Sequence, residues 1–167
     1  MYATRAWKLS LLALTAGMPV IASAAIVPLS ADAAFLKASQ VLVGLEAMPT
    51  FRDKELLIIK TDPVPVKLTP DQVDCGKMWG IPYAKDKRTK TAAVYQVTIK
   101  PIDAVSSDVS VKLTIDGYMD VTEDLPFFVA KTRDKNSVLN CKSKGYLESQ
   151  FLALMDSGQA PAGANIP

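Results

Sequence analysis

The chain has 167 residues, with 19 Lys+Arg against 17 Asp+Glu, two cysteines and no histidine. Without histidine there is no Ser-His or Cys-His catalysis and no histidine-ligated zinc or haem, so an enzyme built on this sequence would have to use carboxylates, lysine, tyrosine or serine alone. Two thiols are too few for a structural zinc or an iron–sulfur cluster, and neither a metal nor a cofactor is expected.

Arg5 and Lys8 precede a charge-free stretch from Leu9 to Ala31, with an apolar run at Leu9–Ala16 and an A-x-A pattern at Ala22-Ser23-Ala24. That order predicts a secretory signal peptide over residues 1–24. The competing reading is an uncleaved anchor, because the uncharged stretch reaches the ~20 residues that span a bilayer. Pro19 and the small residues at 22–25 favour cleavage. No cysteine follows the apolar run, so no lipid attachment and no stable membrane anchor are expected after processing. Arg5 and Lys8 leave with the peptide, and the 17 remaining basic residues then equal the 17 acidic ones. The mature chain therefore carries no overall charge to attract nucleic acid or an anionic membrane. Residues 25–158 suffice for a single domain with its own core. The tail from 159 to 167, "QAPAGANIP" from its last Gln onward, has no periodicity and is expected to be flexible.

The first predicted element of the domain is a helix. Ser30 is placed to cap it, Asp32 faces the dipole in the first turn, and Phe35, Ala38, Leu42 and Leu45 form one apolar stripe. Pro49 is expected to end it. "KELLIIKT" reads as a short buried strand. "DPVPVKLTPDQVDCG" carries Pro63, Pro65 and Pro70, which remove backbone donors and restrict it to an edge strand or an extended link.

"VDCGKMWGIPY" follows, with Cys75 four residues before Trp79. The partner thiol, Cys141, lies 66 residues further on, too far for a C-x-x-C redox motif. An even pair of cysteines in an exported chain reads as a disulfide. In the chain-entropy model a loop of this length contributes roughly 4 kcal/mol. Trp79 is expected to cover the bridge or the neighbouring core edge; the sharper alternative is a ligand platform. Next comes "KDKRTK" at 85–90, a basic run holding Lys87 and Arg88. It reads as a solvated turn, with contact to a phosphate or an acidic partner as the functional alternative.

Two strands with strict alternation come next. In "TAAVYQVTIK" residues Ala93, Tyr95, Val97 and Ile99 point one way; in "DVSVKLTIDG" so do Val109, Val111, Leu113 and Ile115. One buried and one wet face imply antiparallel pairing, with "PIDAVSSD" as the hairpin loop. "YMDVTEDLPFFVAKTRDKNSVLN" is turn-rich apart from "PFFVA". The last element, in "CKSKGYLESQFLALMDSG", is a helix capped by Ser143, starting close to Cys141, with Leu147, Phe151 and Leu154 on one face and Gly158 past its end. The sum is an α+β domain: a small antiparallel sheet, two helices on its apolar face and one disulfide.

The helix, the "DCG" segment, "RTKTAAVYQVTI", "VSVKLTIDGY" and "CKSKGYLESQFLALM" together resemble small bacterial envelope proteins with an α-β-β-β-α domain. Most of those are lipoproteins, and they are distantly similar to the small domains of the C-type accessory lipoprotein of the outer-membrane β-barrel assembly machine. The likeness runs from about Phe35 to Met155. Its most specific pieces are Asp74-Cys75-Gly76 and Cys141 followed by Gly145, Leu147 and Glu148. It brings no catalytic residues. This chain departs from the pattern in lacking the lipid-bearing cysteine.

Three functional readings follow. The first is a periplasmic or secreted accessory domain of the bacterial envelope, not an enzyme, that docks an envelope protein partner. The second is a binder of a small apolar ligand held between sheet and helices, lined by Trp79, Tyr83, Tyr95, Phe127 and Phe128. The third is carboxylate catalysis, or calcium binding, by Asp71 and Asp74 or by Asp120, Glu123 and Asp124. That spacing lacks an EF-hand pattern, and solvated loop charge is the plainer account. Nucleic acid is not an expected partner.

Overall fold

The computed structural model describes residues 23–119 and 138–157. Residues 1–22 of the expected 1–24 signal peptide, "PFFVA" with Phe127 and Phe128, the acidic group Asp120, Glu123 and Asp124, Gly158 and the 159–167 tail lie outside them. The described chain is an α+β domain: ten strands, β1 Ser23–Val27, β2 Pro49–Asp53, β3 Ile58–Thr61, β4 Val64–Val66, β5 Val73–Asp74, β6 Lys77–Met78, β7 Ile81–Pro82, β8 Thr89–Pro101, β9 Ser107–Met119 and β10 Val138–Ser143, and two helices, α1 Ala31–Gly44 and α2 Tyr146–Asp156.

Eight of the strands form one sheet in the order β2-β3-β8-β9-β10-β5, with β1 paired to β9 and β4 to β8; β6 and β7 make a separate hairpin. Every pairing is antiparallel. The spine is the β8–β9 hairpin, in unbroken register from Thr89 opposite Met119 to Pro101 opposite Ser107. Its alternation is the one read from the sequence: Ala93, Tyr95, Val97, Ile99, Val109, Val111 and Ile115 are buried. Leu113 is only half-buried. The reason is a gap between the strands that flank β9. β1 pairs with residues 107–111 of β9 and β10 with 115–118, so no described strand flanks Leu113 on that side.

Both helices pack on the buried face. α1 presents Ala34, Phe35, Ala38, Val41 and Leu42, and α2 presents Leu147, Phe151 and Met155. Each fully buried large side chain contributes roughly 1.5–3 kcal/mol. Ser30 caps α1, its Oγ accepting from the Ala33 N–H at 3.4 Å. The helix stops at Gly44, earlier than Pro49 suggested. Glu46 takes a left-handed φ of +59°, while Ala47 N donates to Leu42 O and Glu46 N to Val43 O. This closing pair satisfies the last carbonyls, and it needs no proline. Pro49 opens β2 instead.

"KELLIIKT" is likewise divided. The Asp53 carboxylate accepts from the N–H groups of Glu55 and Leu56, both at 2.9 Å, and turns the chain, so the strand begins at Ile58. The proline-rich link supplies β4, a three-residue edge segment on β8. β1, which the sequence left inside the leader and the approach to the first helix, pairs Ser23–Val27 with Val111–Ser107.

Candidate functional site

Cys75 and Cys141 are bonded, with an S–S distance of 1.99 Å. Cys141 sits within β10 and not at the start of the last helix, because β10 continues to Ser143 and α2 begins only at Tyr146. The bridge therefore ties the segment after β5 to β10, the strand that β5 pairs with at the edge of the sheet. Gly117 of β9 lies against it: a Cβ at that position would stand 2.9 Å from Cys141 Sγ.

Ser143 does not occupy the N-cap of α2. Gly145 does, at φ +86°. The Ser143 hydroxyl accepts from Gly145 N at 3.1 Å and donates to Glu148 Oε2 at 2.7 Å. Glu148 is 1% exposed. Its carboxylate lies in the first turn of α2, where the helix dipole favours negative charge. Burial pushes the Tyr95 hydroxyl up to about 12, and the Glu148 carboxylate adds to that shift. Sequence reasoning treated Glu148 only as part of a likeness; a single acid amid helical leucines carries no sign that it faces inward.

Trp79 does not cover the bridge. It is 95% exposed, at the tip of the β6–β7 hairpin. Lys77 faces Pro82 and Met78 faces Ile81, leaving Trp79-Gly80 as a two-residue turn with φ of +50° and +82°. Tight hairpin turns of this kind require positive φ at both positions, which suits Asn-Gly and strains a bulky residue. Ile81 beside it is 60% exposed. The hairpin is rooted by Gly76, whose N–H donates to Asp74 Oδ1 and whose carbonyl accepts from Tyr83 N. It is Tyr83 that lies against this corner, its ring carbon 3.9 Å from where a Gly76 Cβ would be.

The residues after Tyr83 wall a cleft of about 690 Å³. One side is β4 and the chain through Pro70; the other is the short 3-10 turn Tyr83–Lys85 and the bend at Asp86; β8 and Tyr118 form the floor. The prolines explain the shape. β4 is too short to continue along β8, so the chain lifts away after Val66, while Leu68 turns back into the core at 7% exposure. The Thr91 hydroxyl donates to the Val66 carbonyl and ties the two walls. The exposed Lys67, Lys85, Lys87 and Lys90 belong to the lining, with Asp86 as the one carboxylate among its described residues. Arg88 bonds Asp86 through Nη2 at 2.7 Å and Nε at 3.0 Å, and these bonds hold the carboxyl down at about 2. The Thr89 Oγ1 is buried and has no hydrogen-bond partner among the described residues.

Of the four residues singled out for binding, Lys87 reaches the cleft, Arg88 supports it through Asp86, Tyr83 stands at its edge toward the disulfide, and Trp79 is apart on the hairpin. Tyr95 belongs to the core. Asp71 is not in the cleft lining, and Asp74 is engaged by Gly76 N. Among the described residues no three Cys, Asp or Glu side chains gather to hold a metal ion, and no helix is long and apolar enough to cross a membrane. No family model matches the chain, and no curated protein matches it significantly.

Proposed function

We propose that this chain is an accessory domain of the bacterial envelope, exported to the periplasm or beyond, that works by docking a protein partner rather than by catalysis. The observation that carries this reading is the Trp79 hairpin. A large apolar side chain held in solvent by a backbone conformation that disfavours it costs stability twice, and such strain concentrates at functional sites. Tryptophan is also among the side chains enriched as buried anchors in protein interfaces. The basic and apolar segment at the N-terminus, the disulfide and the likeness to small envelope domains support export and the envelope setting. The disulfide is compatible with an oxidising compartment.

The test is site-specific photo-crosslinking in the exporting cell, with the probe at Ile81 beside the tip and a control probe at Lys112 on the wet face of the sheet. A discrete protein adduct from Ile81, absent from Lys112 and lost in Trp79→Asn, is the expected result. Equal labelling from both positions, or none from Ile81, overturns the proposal.

A further inference from the structure

The cleft beside the hairpin has features that protein docking at Trp79 does not use. Its volume, about 690 Å³, falls in the roughly 300–1,000 Å³ range of small-molecule sites. Its lining is apolar below and cationic above: Val66, Leu68, Ala84 and Tyr118 within, and the four lysines Lys67, Lys85, Lys87 and Lys90 at the opening. The single acid among the described lining residues, Asp86, is already matched by Arg88. Lys90 stands over the Tyr118 ring, 5.9 Å from its centroid, and the described lining holds no further carboxylate for the other three lysines.

We propose that the cleft binds a single-chain amphiphilic anion, with an alkyl chain along the apolar floor and a carboxylate or phosphate head among the lysines. Each feature selects for one part of that ligand. The apolar lining favours the chain and gives nothing to a free inorganic anion. The lysines favour a negative head over a neutral alcohol or an ammonium. The walls stand ready without the ligand, since Thr91 ties β8 to Val66 and Asp86 is fixed by Arg88. Preformed walls reduce the ordering cost of binding.

The experiment is calorimetric titration of the purified exported protein with monomeric dodecanoate, dodecyl phosphate, dodecanol and inorganic phosphate, and a sedimentation assay with phosphatidylglycerol vesicles. Dodecanoate or dodecyl phosphate should bind, whichever head is preferred, with dodecanol at least tenfold weaker and inorganic phosphate undetected. Lys85→Ala with Lys87→Ala should weaken binding about fivefold, as two partly exposed ion pairs would. The lysines are exposed, so the variant should fold, which its melting curve verifies. Trp79→Asn should leave the titration unchanged, separating this site from the docking hairpin. Equal affinity for dodecanol and dodecanoate, affinity untouched in the lysine variant, or binding to vesicles alone overturns the proposal.

Discussion

Gly117 and the disulfide should be coupled, and the coupling has a calculable size. The bridge closes a separation of 66 residues, for which loop entropy gives about 4 kcal/mol. That is a large part of the 5–15 kcal/mol typical of such domains, roughly. Gly117 is buried in β9, and a methyl group there would meet Cys141 Sγ at 2.9 Å and Leu139 Cβ at 3.3 Å. The sulfur is held at both ends and has no rotamer to escape into, so Gly117→Ala should cost about 1–3 kcal/mol by overpacking. In Cys75→Ala with Cys141→Ala the sulfur is gone and only the milder Leu139 contact remains. The same glycine substitution should then cost less than about 1 kcal/mol, a coupling of about 1 kcal/mol or more. Urea melts of the four proteins in this cycle measure it, with free-thiol labelling of the denatured, unreduced wild type confirming that no thiol reacts. Additivity within about 0.5 kcal/mol would mean that β9 moves to accommodate the methyl group, and the argument from close approach would fail.

Tyr95 predicts an alkaline limit to stability. Its hydroxyl is raised from 10.0 to about 12 by burial first and Glu148 second. A raised folded-state value means its contribution is complete below pH ~10 and is lost as pH climbs from about 10 to about 12, amounting to about 2–3 kcal/mol. Tyr95→Phe should flatten this part of the pH–stability profile, and Glu148→Gln should make the loss smaller and end it at a lower pH without removing it; an unchanged profile in Tyr95→Phe rejects the assignment. Val97→Asp, at a position with 0% exposure, should cost about 4 kcal/mol or more, whereas Thr114→Asp on the exposed face should stay within about 0.5 kcal/mol, and similar losses in urea would contradict the register. Trp79→Asn should raise stability by about 0.5–1 kcal/mol, since asparagine tolerates the left-handed turn, while abolishing the Ile81 crosslink. A destabilised Trp79→Asn would show the indole to be structural.

The long alternating strands were legible because a period of two, kept over ten residues, admits only one arrangement that buries every apolar side chain. Ser30 and the stripe through Phe35, Ala38 and Leu42 fixed the first helix for the same kind of local reason. The cysteine pair was legible by elimination, with no third thiol to compete. What the sequence could not decide was where short segments go. β1, β2 and β4 are strands because β9, β3 and β8 offer them ladders, and their own residues carry little preference. Pro49 could end a helix or begin a strand, and a left-handed Glu46 settled it. Ser143 looked like a cap, yet tertiary pairing with β9 and β5 extended β10 through it and left its hydroxyl to Glu148. The candidate sites belong to this second class. Trp79 four residues after a cysteine suggested a covered bridge, but a two-residue turn reverses the chain and sends the indole into water. The cleft needs β4, the 3-10 turn and Tyr118, drawn from segments some fifty residues apart, and only the folding of the sheet brings its lysines around one opening.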